Sequence, residues 1–324
     1  MNLVQKAVAQ GGKLAPIVIQ DAIGGMNPSI FIDKDGDILV NVRVVNYTLY
    51  HSENQQQFPS RWGPLSYLHP EKDQRLVTEN YLCRLNGDLE LTDYCKVEML
   101  NLHQPIWEFV GLEDARVVYW DDTYYLIGVR RDTTTNGVGR MEMTAIDLDK
   151  SNWTATETGR VRLEVSGNSY CEKNYAPILD KPYHFVKWHN PVEIVKAEGN
   201  QAVQVSLKQG ITPAKDQRGS SQLVRWGNCY ISVTHEVDLF KNYLNQKDGI
   251  YRHRLCVWDD DVNLVGISPE PFSFLDGRIE FCVGASVLDG DLLLSFGMQD
   301  NAAFVLRTPG ALVEDMIAEA LSAN

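Results

Sequence analysis

One local pattern occurs five times along the chain. A turn rich in glycine and aspartate leads into a β-branched or aromatic run that ends on a polar residue. The copies span residues 35–43, 122–130, 181–189, 227–235 and 290–298. Each follows a second run of similar character, at 29–32, 115–120, 176–179, 222–226 and 285–288. Such a turn between two strand-forming runs predicts an antiparallel hairpin. Five hairpins with uneven spacers predict an all-β chain. The reading is a five-bladed β-propeller with a short terminal helix, in a single domain over residues 1–324. A β-sandwich is the competing all-β architecture. The propeller is preferred because four copies end on Arg43, Arg130, His189 and His235. Radial packing brings equivalent strand ends to one axis, whereas a sandwich scatters them.

Helix is expected only at the edges. Leu3–Ala9 is one candidate. Residues 311–321 follow the Pro309-Gly310 breaker with an apolar stripe of Leu312, Met316, Ile317, Ala320 and Leu321. The polar stretch 51–63 reads as a loop and a lid candidate. A formal charge of −13 argues against general nucleic-acid binding, which needs a basic face, yet leaves room for a local basic pocket. No window approaches the roughly 20 apolar residues of a membrane span, and no signal peptide is evident. The six cysteines form no C-x-x-C pair, which speaks against a zinc ribbon or a disulfide framework. Together these features point to a reducing, cytoplasmic setting. No cofactor and no metal are expected, and oligomeric state is left open.

The chemistry-bearing residues cluster at strand ends. Gly111-Leu112-Glu113-Asp114-Ala115-Arg116 enters a strand. Strand alternation predicts Asp114 and Arg116 on one face and Glu113 on the other. A carboxylate beside a guanidinium stays ionised and fixed in direction, although a plain ion pair at a strand start reads the same way. Glu172-Lys173-Asn174 opens the third copy, either as loop or as ligands for a polyhydroxyl substrate. Arg218 opens the fourth. His189 and His235 end strands at equivalent positions. Arg252 and Arg254 share one face of a run, with His253 on the other, and suit a phosphate or carboxylate. Arg43, Asn46 and Asn27 frame the first copy, where sugar recognition and ordinary turn chemistry look alike. Glu280 lies between apolar residues, and Asp300 closes the last strand.

The order of these motifs resembles the five-bladed propeller enzymes of glycoside hydrolase family 130 and the related glycosyltransferase family 108. The carrying segments are Asn27-Pro28 with Arg43, Gly111 to Arg116, Glu172 to Pro191, Thr234-His235, and Glu280 with Gly284, Gly297 and Asp300. The similarity spans about residues 27–305. Ala115 stands where the family usually has proline, and Glu172-Lys173-Asn174 is not its commonest form, which points to a distant branch.

The resemblance implies a carbohydrate-active enzyme that makes or breaks a glycosidic bond. Its partners would be a sugar or glycoside and either inorganic phosphate or a nucleotide sugar, with mannosyl groups the favoured class. Asp114 would be the general acid, acting directly or through a sugar hydroxyl, with Glu113, Glu172 and Glu280 as further catalytic carboxylates. Arg43, Asn46, Arg116, Lys173, Asn174, His189 and Asp300 would bind the sugar. Phosphate would meet Arg218, His235, Arg252 and Arg254. An inverting hydrolase is the alternative, with Glu172, Glu236 or Glu280 activating water. A non-catalytic sugar-binding propeller is the third, with Trp62, Trp107 and Trp188 as platforms.

Overall fold

The computed structural model describes residues 2–20, 22, 24–47, 55–58, 65–68, 75–211, 217–243, 245 and 247–323. All five expected hairpins form. Gly24–Ile32 pairs with Ile38–Val45, Leu112–Trp120 with Thr123–Arg130, and Ala176–Pro177 with His184–His189. Val224–Trp226 pairs with Cys229–Lys241, and Glu280–Leu288 with Asp291–Met298. The turns work as their residues dictate. Asp121 and Asp122 both take positive φ (48° and 58°), as do Asp289 and Gly290 (52° and 84°). Both central residues of a twist-matched two-residue turn need that conformation, and Asp and Gly tolerate it.

Each hairpin is half of a larger antiparallel run. The first continues through Leu76–Leu85 and Leu91–Glu98, the second through Arg140–Asp149 and Thr154–Arg162. The third continues through Val192–Glu198 and Gln201–Lys208, the fourth through Lys247–Trp258 and Leu264–Ile267. The fifth adds Ala302–Thr308 and then Lys13–Ile17 from the start of the chain. The outer strands escaped the sequence reading because they are half-solvated. Leu91–Glu98 alternates in exposure and Gln201–Lys208 is largely exposed, while every residue of Ile38–Val45 is buried. Strands covered on both faces read as continuous apolar runs, and edge strands do not.

The first and second runs join by a short parallel contact, Val97 to Ala155 and Glu98 to Thr156. Their opposite ends also meet, since the Val117 N–H donates to Ser29 Oγ (3.1 Å), so this eight-stranded path nearly closes on itself. Gln222, fully buried, draws the first strands of four runs together. Its Nε2 donates to the carbonyls of Ile30 and Val117 (both 3.2 Å), and its Oε1 accepts from the Ala285 N–H (3.0 Å). The third run joins through Leu223 N–H to Pro177 O (2.8 Å) and Trp120 Nε1 to Leu179 O (2.9 Å). A two-layer sandwich has no such common centre.

Both expected helices are present. Leu3–Ala9 is capped by Asn2, whose side chain accepts from the Gln5 N–H. Gly310–Ser322 buries Leu312, Val313, Met316, Ile317 and Ala320, each worth roughly 1.5–3 kcal/mol for the larger side chains. Leu321 is 46% exposed and falls outside the expected stripe. Among the described residues no helix is long and apolar enough to cross a membrane. The stretch 51–63 is not all loop, because Gln55–Phe58 pairs with Leu65–Leu68. The rest of it, Trp62 included, lies outside the described residues.

Candidate active site

A cavity of about 770 Å³ opens where the first strands converge. Four of its polar side chains sit at positive φ: Asn27 (46°), Asp114 (50°), Asn174 (62°) and Asp300 (50°). Asn and Asp are the side-chain-bearing residues that enter this region most readily. Each marks a strand end or bulge, where the backbone breaks its alternation and re-aims a side chain.

Asp114 shows the device best. Across the pair, Glu113 faces Val129 and Arg116 faces Ile127, so Asp114 and Ala115 together oppose Gly128. A Cβ at residue 128 would stand 2.4 Å from the Glu113 carbonyl oxygen, so this bulge needs glycine there. The bulge corrects the expected alternation, because the side chains of both Glu113 and Asp114 line the cavity. Arg116 is corrected too. Its Nη1 donates to the backbone carbonyl of Asp114 (2.7 Å), and its Nε and Nη2 donate to Ser220 O (3.1 and 2.9 Å). It is 1% exposed, and burial pushes its guanidinium down to about 10, so it remains a cation that braces backbone.

The carboxylate's partner is Arg43. Its Nη1 donates to Asp114 Oδ1 (2.9 Å), its Nη2 to the Tyr47 hydroxyl (2.6 Å) and its Nε to Thr78 Oγ1 (3.2 Å). Glu113 Oε2 lies 3.6 Å from the same guanidinium. Asn27 Nδ2 donates to Asp114 Oδ1 as well (2.8 Å). Burial by itself would raise the Asp114 pKa. Arg43, the Asn27 hydrogen bond and the charges of Arg116 and Lys173 outweigh it and hold the carboxyl below the usual range. Asp300 goes the other way. Burial, and then the charge of Asp114, raise it despite the pull of Arg43. Two neighbouring carboxyls are thereby pushed apart in acidity, the pattern expected of groups that divide proton work.

Lys173 and Asn174 line the cavity, and Asn174 Oδ1 is buried without a hydrogen-bond partner. His235 lies 2.8 Å from Ser220 Oγ through Nδ1, stacks on Tyr251 and meets Phe281 edge-on. Burial, then the charges of His253, Arg218 and Lys173, depress its pKa well below the ordinary value, so the ring is neutral. Arg218 sits opposite His235 in the strand register and is exposed; its charge reaches His235 and Tyr251.

Of the candidates from sequence, Asn27, Arg43, Trp107, Glu113, Asp114, Lys173, Asn174, His235 and Asp300 share this cavity. The others have different work. Glu280 is fully buried, and its carboxylate accepts from the backbone N–H groups of Phe274, Leu275 and Gly277 at 2.6–2.8 Å. Glu172 accepts from the Tyr175 hydroxyl (2.6 Å) and faces Lys187 (3.5 Å). Asn46 joins backbone, accepting from Val77 N–H and donating to Arg75 O. His189 is fully buried against Trp258, with burial lowering its pKa to about 4. Arg254 pairs with Glu236 and with the carbonyls of Ser268 and Pro269, and Arg252 bonds the Tyr251 carbonyl.

The cavity takes the sequence neighbours of two of these residues instead. Ile279 and Phe281 flank Glu280, and Tyr251 precedes Arg252. Alternation turned the charged side chains away and the aromatic ones inward, and nothing in the sequence shows which face is inner. Tyr47, Arg131 and Tyr170 were also missed. They stand outside the repeated hairpin, on residues that read as loop or spacer.

No family model matches the chain, and no curated protein matches it. Solved structures do. A β-1,2-mannobiose phosphorylase from Listeria innocua, in complex with β-1,2-mannobiose, is 14% identical with a TM-score of 0.57, covering 96% of each chain. MPT-4, a mannose phosphorylase from Leishmania mexicana in complex with phosphate, is 12% identical with a TM-score of 0.51, covering 94% of this chain and 92% of that one. MPT-1, a GDP-Man-dependent mannosyltransferase from Leishmania mexicana, is 12% identical with a TM-score of 0.53, covering 91% and 89%. The chain shares the fold of these structures.

Proposed function

We propose that this chain is a carbohydrate-active enzyme, built as a five-bladed propeller, that moves a glycosyl group between a phosphate-bearing donor and a sugar hydroxyl. The enzymes that share its fold include phosphorylases and a mannosyltransferase, which favours mannosyl transfer with phosphate or a nucleotide sugar. The observation that carries the reading is Asp114, held ionised by Arg43 and Asn27 on a cavity that Lys173, Asn174 and neutral His235 also line.

The electrostatics favour a direction. Bond formation needs a base that takes the acceptor's proton, directly or through a sugar hydroxyl. A carboxylate held below its usual range supplies that base at neutral pH. In the reverse direction the same group must carry the proton as acid, by microscopic reversibility. Lys173, with His235 as a neutral donor, would receive the phosphate. Asp300 would hold sugar hydroxyls. A hydrolase finds less support, because Glu172, Glu236 and Glu280 are not among the residues that line the cavity. It would have to activate water with another carboxylate of the cavity, Asp300, Glu113, Glu108 or Asp248.

The test is product formation from mannobiose with and without inorganic phosphate, and from GDP-mannose or mannose 1-phosphate with a free sugar acceptor. Release of mannose from mannobiose at the same rate with and without phosphate would replace transfer by hydrolysis. No turnover under any of these conditions would remove the enzyme reading.

A further inference from the structure

The bulge that aims Asp114 is held by two buried amides that have no part in the chemistry so far. Asn41 and Asn80 are 0% and 1% exposed. Asn80 stands opposite Arg43 in the strand register, and Asn41 lies two residues before Arg43, so all three share one face. Asn80 Nδ2 donates to Leu112 O (3.0 Å). Asn41 Nδ2 donates to Ala115 O (3.1 Å) and to Asn80 Oδ1 (2.9 Å). With Arg116 on Asp114 O, side chains take three carbonyls within four residues across the bulge. Asn41 Oδ1 is buried without a hydrogen-bond partner. Turning that amide over would set its oxygen against two acceptors, so the donors fix its orientation and the oxygen stays unpaired.

A buried amide pair adds little net stability over apolar side chains of the same shape. What this pair adds is position. A bulge disrupts the ladder locally, and a slip of one residue there would exchange the face that Asp114 presents. We infer that Asn41 and Asn80 are positioning residues for the proposed reaction: they pin the backbone on either side of Asp114, so that its carboxylate stays on Arg43 and in the cavity. Their effect on turnover rests on the proposed function; their hold on the carboxylate does not.

Titration of Asp114 in the whole chain by carboxyl-carbon NMR reads that hold without turnover, with the signal assigned by its loss in Asp114→Asn. The charges around this carboxylate are Arg43, Arg116, Lys173, Glu113 and Asp300. The variants are Asn80→Ala and the joint Asn41→Leu/Asn80→Leu, which leaves neither amide without its partner. In both, the Asp114 pKa should rise by about one unit or more as contact with Arg43 loosens. In both, kcat should fall by about tenfold or more while KM for the sugar changes by less than about threefold. Val40→Ala truncates a buried side chain on the opposite face of the same strand. It should lower the unfolding midpoint and leave both readings near wild type. An Asp114 titration unmoved in both amide variants, or moved equally by Val40→Ala, would overturn the inference. If neither amide variant folds, hydrogen exchange in the wild type decides. The side-chain amides of Asn41 and Asn80 should exchange about tenfold or more slowly than that of exposed Asn200, and equal rates would overturn the clamp. A moved titration in a chain that turns over no sugar would keep the positioning and remove the proposed function. Turnover by the wild type with an unmoved titration in the variants would do the reverse.

Discussion

Two clusters of carboxylates, each organised around one cation, have opposite fates in this molecule. At a hairpin turn, Asp33, Asp35 and Asp37 converge on Lys150, whose Nζ lies 2.5, 2.8 and 2.7 Å from their oxygens. Asp33 Oδ1 also accepts from the N–H groups of Asp35 and Asp37, and Oδ2 from the Tyr124 hydroxyl. The three carboxylates could hold a metal by spacing, but the ammonium group already takes all of them. In the cavity, Arg43 gathers Asp114 and Glu113 while Asp300 stands apart with a raised pKa. One cluster is closed by its own lysine and serves the turn. The other leaves carboxyls of unequal acidity facing a space a substrate can fill. Proximity of acids to a cation does not distinguish a site from a brace; what distinguishes them is whether the groups are saturated.

The sharpest way to break this contrast is to remove one charge from each cluster. Asp114→Asn should lower turnover by about 10²–10⁴-fold, while Asp33→Asn should leave kcat near wild type. Comparable losses of kcat in both would erase the distinction. Arg43→Lys keeps the charge but loses the fork that reaches Asp114, Tyr47 and Thr78 together, and should cost about 10–100-fold in kcat/KM. Lys150→Met strands the buried Asp33 carboxylate and should lower stability by about 1–3 kcal/mol in urea denaturation, with activity at saturating substrate intact.

Titration sharpens the comparison further. Asp33 and Asp114 both have lowered pKa values in the folded chain. Each therefore adds stability that is present above the unfolded value near pH 4 and is lost as pH falls through the folded value. Stability should hold from neutrality to about pH 4 and decline below it. Asp33→Asn should flatten part of that decline. Bond formation, which uses the Asp114 anion, should follow the same acid limb, while bond breakage should gain as pH falls toward it. A bond-forming rate that rises below pH 5 would contradict the role of Asp114 as base. The smallest expected effect is Asp35→Asn. This exposed member of the turn cluster should move stability by no more than about 0.5 kcal/mol.

Much of the architecture was legible because it rests on local rules. The five hairpins follow from Gly- and Asp-rich turns between strand-forming runs, and the C-terminal helix from its apolar spacing after Pro309. The place of Asp114 among the clustered charges was legible through its neighbours Gly111 and Arg116, but its guanidinium partner is not the one expected. Arg116 lies two residues away and bonds backbone; Arg43 lies 71 positions away and bonds the carboxylate.

By itself, then, the sequence determined the pairing partners within each hairpin, the positions able to take positive φ, and the set of charged residues at strand ends. Only the tertiary structure decided which of those charges meet. That depends on which face of each strand looks inward and where a bulge reverses it, as at Asp114 opposite Gly128. A single residue of register exchanges Glu280 for Phe281 and Arg252 for Tyr251 at the cavity, and only the packing of the strands against their neighbours sets that register.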